Sequence, residues 1–358
     1  MKTFWDKLPK PFFCIAPMAD VTDVAFRSMF IKYGKPDVIW TEFVSADGLC
    51  DKNGRKAFQI DLKFDNKERP IVAQLFSSRP EKMREASEYV ASLGFDGIDI
   101  NMGCPDRSIE KQGAGASLMK DMKKAGEIIQ AVKDGIKDAN KKIPISVKTR
   151  IGYNKNQIGE WIPFLLAQDI DALTIHARTR KEMSLVPARW EHIKEVVDIR
   201  NKMGVKTKII GNGDVISIED GINKWRETGC DGVMVGRGIF GKPWFFSSLK
   251  SLRSSSGLRK INSKFSRVLG GGRTRGQTSS KTLINFTPKL QDKLKVLVEH
   301  TKLFEKILGK VKNFNIMKKH YKAYVNGWDG AKELRVKLME SKNGKEVEKI
   351  IKEYLRIN

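Results

Sequence analysis

The sequence predicts an α/β protein, a (β/α)8 TIM barrel followed by a smaller all-α helical domain. Three observations carry that expectation. Between Phe13 and Trp244, short β-branched apolar runs alternate with longer amphipathic stretches, the pattern of a parallel sheet covered by helices. Eight such runs fall within about 230 residues, the size of one barrel. After Trp244 the alternation stops, and from Leu290 onward apolar residues return at helical spacing.

The strand candidates are Phe13 to Pro17, Val38 to Glu42, Ile71 to Leu75, Gly97 to Asn101, Ile145 to Lys148, Ala172 to His176, Lys208 to Asn212 and Gly232 to Gly236. Helical patterns at Arg79 to Leu93, Ala125 to Asp138 and Ile218 to Thr228 lie between them. A doubly wound open sheet is the alternative, but no G-x-G-x-x-G follows the first strand, which counts against it. Residues 1–250 are therefore expected to form the barrel and 286–358 the helical domain. Between them, residues 251–285 form a basic segment expected to be a flexible insert. From 251 to 281 it carries eight basic residues and no acidic one, with Gly270, Gly271 and Gly272 at its centre.

With 358 residues, 40% of them hydrophobic, the chain can bury a large core. No apolar stretch approaches the roughly 20 residues of a membrane span. Asp6, Lys7 and Lys10 interrupt the amino terminus, so a secretory signal is not expected. Cys14, Cys50, Cys104 and Cys230 are widely spaced and form no C-x-x-C pair. Neither zinc nor a disulfide framework is expected, and a reducing cytoplasm is the simpler location. The formal net charge of +25 favours a polyanionic partner such as nucleic acid or a membrane surface, unless it only reflects a lysine-rich proteome.

The candidate site lies where strands end, the place a barrel puts its chemistry. Gln74 closes the third strand, Asn101 the fourth, Lys148 the fifth, His176 the sixth and Asn212 the seventh. Taken alone, Lys148 reads as half of an internal ion pair and His176 as a core histidine bonded to a carbonyl. Five polar groups at one end of consecutive strands are expensive to bury unless they converge on a polar ligand. The seventh and eighth strands end in Gly211-Asn212-Gly213-Asp214 and Gly236-Arg237-Gly238. Glycines there admit a phosphate to backbone N–H groups, and Arg237 adds a charge. A cation and an imidazole beside a phosphate cup point to flavin mononucleotide. Cys104, held between Gly103 and Pro105 just past a strand, reads as a thiol offered to a ligand.

These pieces resemble one family, the tRNA-dihydrouridine synthases, and within it most nearly the bacterial B-like branch. The resemblance is carried by Ala16-Pro17-Met18-Ala19-Asp20-Val21-Thr22-Asp23, Gln74-Leu75-Phe76, Asn101-Met102-Gly103-Cys104-Pro105 and Val147-Lys148-Thr149-Arg150. It continues in His176-Ala177-Arg178-Thr179-Arg180 and the two glycine-bearing strand ends. In the tail, Met317-Lys318-Lys319-His320 and Gly330-Ala331-Lys332-Glu333-Leu334-Arg335 look like the family's RNA-binding helices. Asp20, where a small residue is usual, Lys318, where arginine is common, and the basic insert depart from the pattern.

The resemblance implies a flavoenzyme that reduces uridine to 5,6-dihydrouridine in tRNA. FMN would be held by Pro17, Met18, Ala19, Gln74, Lys148, His176, Asn212, Gly213, Asp214, Gly236 and Arg237, and NADPH would re-reduce it. Cys104 would give the proton, Asn101 would orient the uracil, and Arg178 and Arg180 would contact tRNA phosphates. A monomer with no membrane partner is expected. The competing readings are a dihydroorotate dehydrogenase-like oxidoreductase of a free pyrimidine and a non-catalytic RNA-binding protein.

Overall fold

The computed structural model describes residues 2–249, 252 and 288–357. The basic segment expected at 251–285 lies outside the described residues, apart from Leu252.

The strands are β1 (Phe12–Ile15), β2 (Ile39–Ser45), β3 (Ile71–Phe76), β4 (Gly97–Met102), β5 (Ile145–Arg150), β6 (Ala172–His176), β7 (Lys208–Asn212) and β8 (Gly232–Val235). They form one eight-stranded parallel sheet in the order β1-β8-β7-β6-β5-β4-β3-β2. A parallel bridge between Cys14 and Val38 closes the ring, with Ile15 N–H donating to the Val38 carbonyl at 3.3 Å. This is the barrel that the alternating pattern predicts. Four strands run on past their expected ends, β2 to Ser45, β3 to Phe76, β4 to Met102 and β5 to Arg150. Gln74, Asn101 and Lys148 therefore sit inside β3, β4 and β5 rather than closing them.

Successive residues of each strand face opposite ways. One set packs outward under the helices; the other fills the interior. Phe12, Trp40, Val72, Ile210 and Met234 form an apolar plug, and Trp5, from the turn Phe4–Lys7, joins it beside Phe12 and Trp40. The lower barrel is thus filled by apolar side chains. The flanking helices carry their own start signals. Pro80 opens Pro80–Ser92, and the Asp121 and Ser217 side chains cap Met122–Asp138 and Ile218–Thr228.

The carboxy-terminal helices are Leu290–Leu308, Ile316–Tyr324, Ala331–Glu340 and Gly344–Ile357. Their shared core includes Leu294, Leu297, Phe304 and Tyr321, and it continues into Val24, Ala25 and Met29 of the first barrel helix, Val24–Tyr33. Charged contacts border this junction. Lys312 Nζ lies 2.7 Å from carboxylate oxygens of both Glu42 and Asp61. Glu42 also accepts from the Asp20 N–H at 2.5 Å. Asp20, unusual for the resembled family, meets Lys319 at 3.2 Å. Among the described residues, no helix is long and apolar enough to cross a membrane.

Candidate active site

The loop after β4 is shaped by the Asn101 side chain. Its Oδ1 accepts the N–H groups of Gly103 (3.1 Å) and Cys104 (2.9 Å), folding the backbone back over the strand end. The Cys104 carbonyl accepts from Ala116 N–H at 2.9 Å, and Arg150 Nε donates to the Gly103 carbonyl at 2.8 Å. Gly115 makes the first of these contacts fit. Its φ is +62°, and a Cβ there would stand 2.9 Å from the Cys104 carbonyl oxygen. The thiol is half-buried, and burial pushes its pKa up. At neutral pH it keeps its proton.

Beside this loop lies a cavity of about 670 Å³ whose lining includes Pro17, Met18, Pro105, Lys148, Arg150, His176, Asn212, Gly213, Gly236 and Arg237. Strand register explains the grouping. Asn101 is opposite Lys148, Arg150 is opposite His176, and His176 is opposite Asn212. Burial, with Arg150 nearby, brings the Lys148 ammonium down to about 8. No carboxylate pairs with it among the described residues; Asp99 acts on it only beyond ion-pair contact.

His176 is held neutral, because burial and the surrounding cations Arg150, Lys148, Arg178 and Arg237 push its pKa well below the usual value. Its Nε2 lies 3.0 Å from Arg178 Nη1. A guanidinium can only donate, so Nε2 accepts and the ring proton sits on Nδ1. Arg178 is itself fixed by the Val186 carbonyl at 2.6 Å and by Asp214. Asp214 also accepts from Ala188 N–H (2.9 Å) and Arg237 Nη2 (3.0 Å).

Of the residues singled out in the sequence, Pro17, Met18, Lys148, His176, Arg178, Asn212, Gly213, Asp214, Gly236 and Arg237 meet at this cavity. Ala19 is exposed on the same loop and off the lining. Gln74 and Asn101 lie beneath it, buried in one hydrogen-bonded row.

Four of the side chains singled out are already engaged within the protein. The Asn101 side-chain oxygen accepts from two backbone N–H groups. Arg178 is not a surface phosphate contact: its side chain is 2% exposed and fully engaged within the protein. Arg180 is forked onto Glu110, its Nε 2.9 Å and 2.8 Å from the two carboxylate oxygens. The Asp214 carboxylate, at the cavity, holds two arginines, Arg178 and Arg237.

Two residues escaped the sequence reading. Arg150 lines the cavity, with burial lowering it to about 10. Asp99 anchors the row under it, accepting from Gln74 Nε2 at 2.6 Å and from the Ser146 hydroxyl. Each stands two positions from a residue already marked, Lys148 and Asn101, and therefore on the same strand face. That spacing was the available signal.

Comparison with known proteins adds an independent line. Residues 14–268 match the family described as "Dihydrouridine synthase (Dus)". A "Probable tRNA-dihydrouridine synthase" of Staphylococcus aureus (strain COL) is 36% identical over 355 residues, covering 99% of this chain and 96% of that protein. A "Probable tRNA-dihydrouridine synthase 2" of Bacillus subtilis (strain 168) is 35% identical over 356 residues, covering 99% and 97%.

Proposed function

The chain belongs to the dihydrouridine synthase family, and from that premise we propose that it reduces uridine to 5,6-dihydrouridine in tRNA, using bound FMN re-reduced by NADPH. One observation carries the reading: a protonated thiol on a rigid loop beside a cavity that holds an unpaired lysine and a neutral imidazole.

The residues suit a flavin phosphate. The cavity falls within the ~300–1,000 Å³ range of ligand sites. Pro17, Met18 and Val215 give it apolar wall, and Gly213, Gly236, Gly238 and Arg237 gather where β7 and β8 end, the usual phosphate position of this fold. Lys148 supplies a cation that is in ion-pair contact with no carboxylate among the described residues. When bound, the flavin supplies the hydride, received from NADPH, that adds to C6 of the uracil.

The protein's part is to hold groups in place and to move one proton. Cys104 Sγ–H donates to C5 of the base, and the thiolate left behind is offset by the charges of Lys148 and Arg150. His176 offers Nδ1–H to a carbonyl or ring acceptor, in a tautomer fixed by Arg178. A uracil in folded RNA must leave its stack to enter, at a cost of roughly a few kcal/mol. Phosphate contacts from this strongly basic chain offset that cost and make binding salt-dependent. With Arg178 and Arg180 engaged internally, lysines of the carboxy-terminal helices, such as Lys322 and Lys332, carry those contacts.

The test is turnover of tRNA lacking dihydrouridine, with NADPH as reductant and the product read by mass spectrometry. Cys104→Ala should lose about 10²- to 10⁴-fold in rate while remaining yellow and binding tRNA. Unchanged turnover would remove the thiol from the reaction. Equal reduction of free uracil or dihydroorotate would move the assignment to a free-pyrimidine oxidoreductase.

A further inference from the structure

We infer that Asp99, which touches neither the cavity nor Cys104, is the positioning residue that aims the Cys104 loop, through a one-way row of side-chain amides. The inference rests on Cys104 being the proton donor.

The row is fully buried, with Asp99 and Gln74 at 0% exposure and Asn101 at 5%. Gln74 Nε2 donates to Asp99 Oδ2 at 2.6 Å, and Asn101 Nδ2 donates to Gln74 Oε1 at 3.0 Å. Asn101 Oδ1 then accepts from Gly103 and Cys104 N–H at 3.1 Å and 2.9 Å. An amide can point either way, and its neighbours decide. At the loop end, two backbone N–H groups require an oxygen from Asn101. That turns its NH2 toward Gln74, which must present its carbonyl, so the Gln74 NH2 faces Asp99. This end of the row requires an acceptor, and a carboxylate has no donor to offer in its place. Reversing one amide would set oxygen against oxygen at the next step, at the cost of a buried unpaired group. Asp99 is held in turn by the Ser146 hydroxyl on β5. The orientation of the Cys104 backbone is therefore fixed by an acid two residues before Asn101 on the same strand face.

The geometry gives a compensation test. Asp99→Asn keeps shape but can point its NH2 at Gln74, which lets the row reverse and turns the Asn101 NH2 on the loop. Asn101→Asp keeps an oxygen on the loop but sets a second one against Gln74 Oε1. Each single variant should lower kcat for tRNA reduction about 10²-fold, the cost of a misplacement near 1 Å, with flavin content and KM little changed. Each should also change the rate at which iodoacetamide alkylates Cys104 at a fixed pH. In the double variant the row runs backwards. The amide introduced at position 99 donates to Gln74, and the Gln74 NH2 donates to the carboxylate introduced at position 101, while an oxygen still meets both loop N–H groups. This variant should recover at least ~10-fold of the loss in kcat and restore the alkylation rate.

Asp99→Asn with wild-type kcat and alkylation would overturn the inference. So would single losses that the double variant does not relieve, since a merely structural role adds and does not compensate. A wild-type protein that makes no dihydrouridine would strike the proposed function instead, and the alkylation rates would still report on the row.

Discussion

Lys148 and Lys312 are both half-buried lysines, yet their surroundings treat them in opposite ways. Lys312, at the junction of the barrel and the carboxy-terminal helices, sits between the Glu42 and Asp61 carboxylates, which raise its pKa. Burial, with Asp61 close by, lets Glu42 hold its proton up to about 7 against the pull of Lys312, which stays charged. Lys148, at the cavity, is brought down to about 8 by burial and by Arg150 nearby. A buried charge supplied with partners by the protein is a strut. One left without them is a socket for an anion that arrives from outside.

The contrast is broken most directly by removing each cation while keeping its bulk. Lys312→Met leaves buried carboxylates uncompensated and should cost about 3–5 kcal/mol in urea unfolding. Lys148→Met removes a charge with no partner, so it should leave stability unchanged or raise it while weakening flavin binding. Equal losses from the two variants would erase the distinction.

A smaller effect sharpens it. The Lys148 charge is present below its folded pKa of about 8 and is lost above it. Affinity for the flavin should fall as pH rises through 8, by up to about tenfold per unit, and Lys148→Met should flatten that slope. A slope that survives the substitution would place the titrating group elsewhere.

The smallest effect is acidic and lies in the core of the carboxy-terminal helices. His320 is buried against Phe26, Phe240 and His300, neither ring nitrogen is hydrogen-bonded among the described residues, and burial lowers its pKa to about 4. The native state refuses a proton that the unfolded chain accepts below about 6.5, so stability drops on acidification between 6.5 and 4. His320→Phe should recover about 1–2 kcal/mol at pH 5 relative to pH 7. No recovery would mean the ring is not desolvated.

The barrel was legible in the chain because its strands are short β-branched runs whose outward faces lie under helices. Ile145, Val147, Ile209 and Val233 mark their strands by hydrophobicity alone. The polar strand ends were legible for the same reason, as exceptions to that pattern. Hidden were the partners that decide what an exception does. Arg178 reads as a phosphate contact until Asp214, 36 residues on, takes its guanidinium. Asn101 reads as a base contact until the Cys104 loop folds back onto it. Asp99 reads as part of a strand until Ser146, 47 residues later, closes on it. Such pairings depend on register between neighbouring strands, which hydrophobic periodicity does not encode.

The core shared by Val24, Ala25 and Met29 with Leu294, Leu297 and Phe304 also bears on how this protein is born. The first helix of the barrel leaves the ribosome long before its cover has been translated. At ~5–20 residues per second, the interval is on the order of 10–50 s. Through that time the apolar stripe of Val24, Ala25 and Met29 lacks the cover that Leu294, Leu297 and Phe304 later give it, and a chain ending short of residue 290 never acquires that cover.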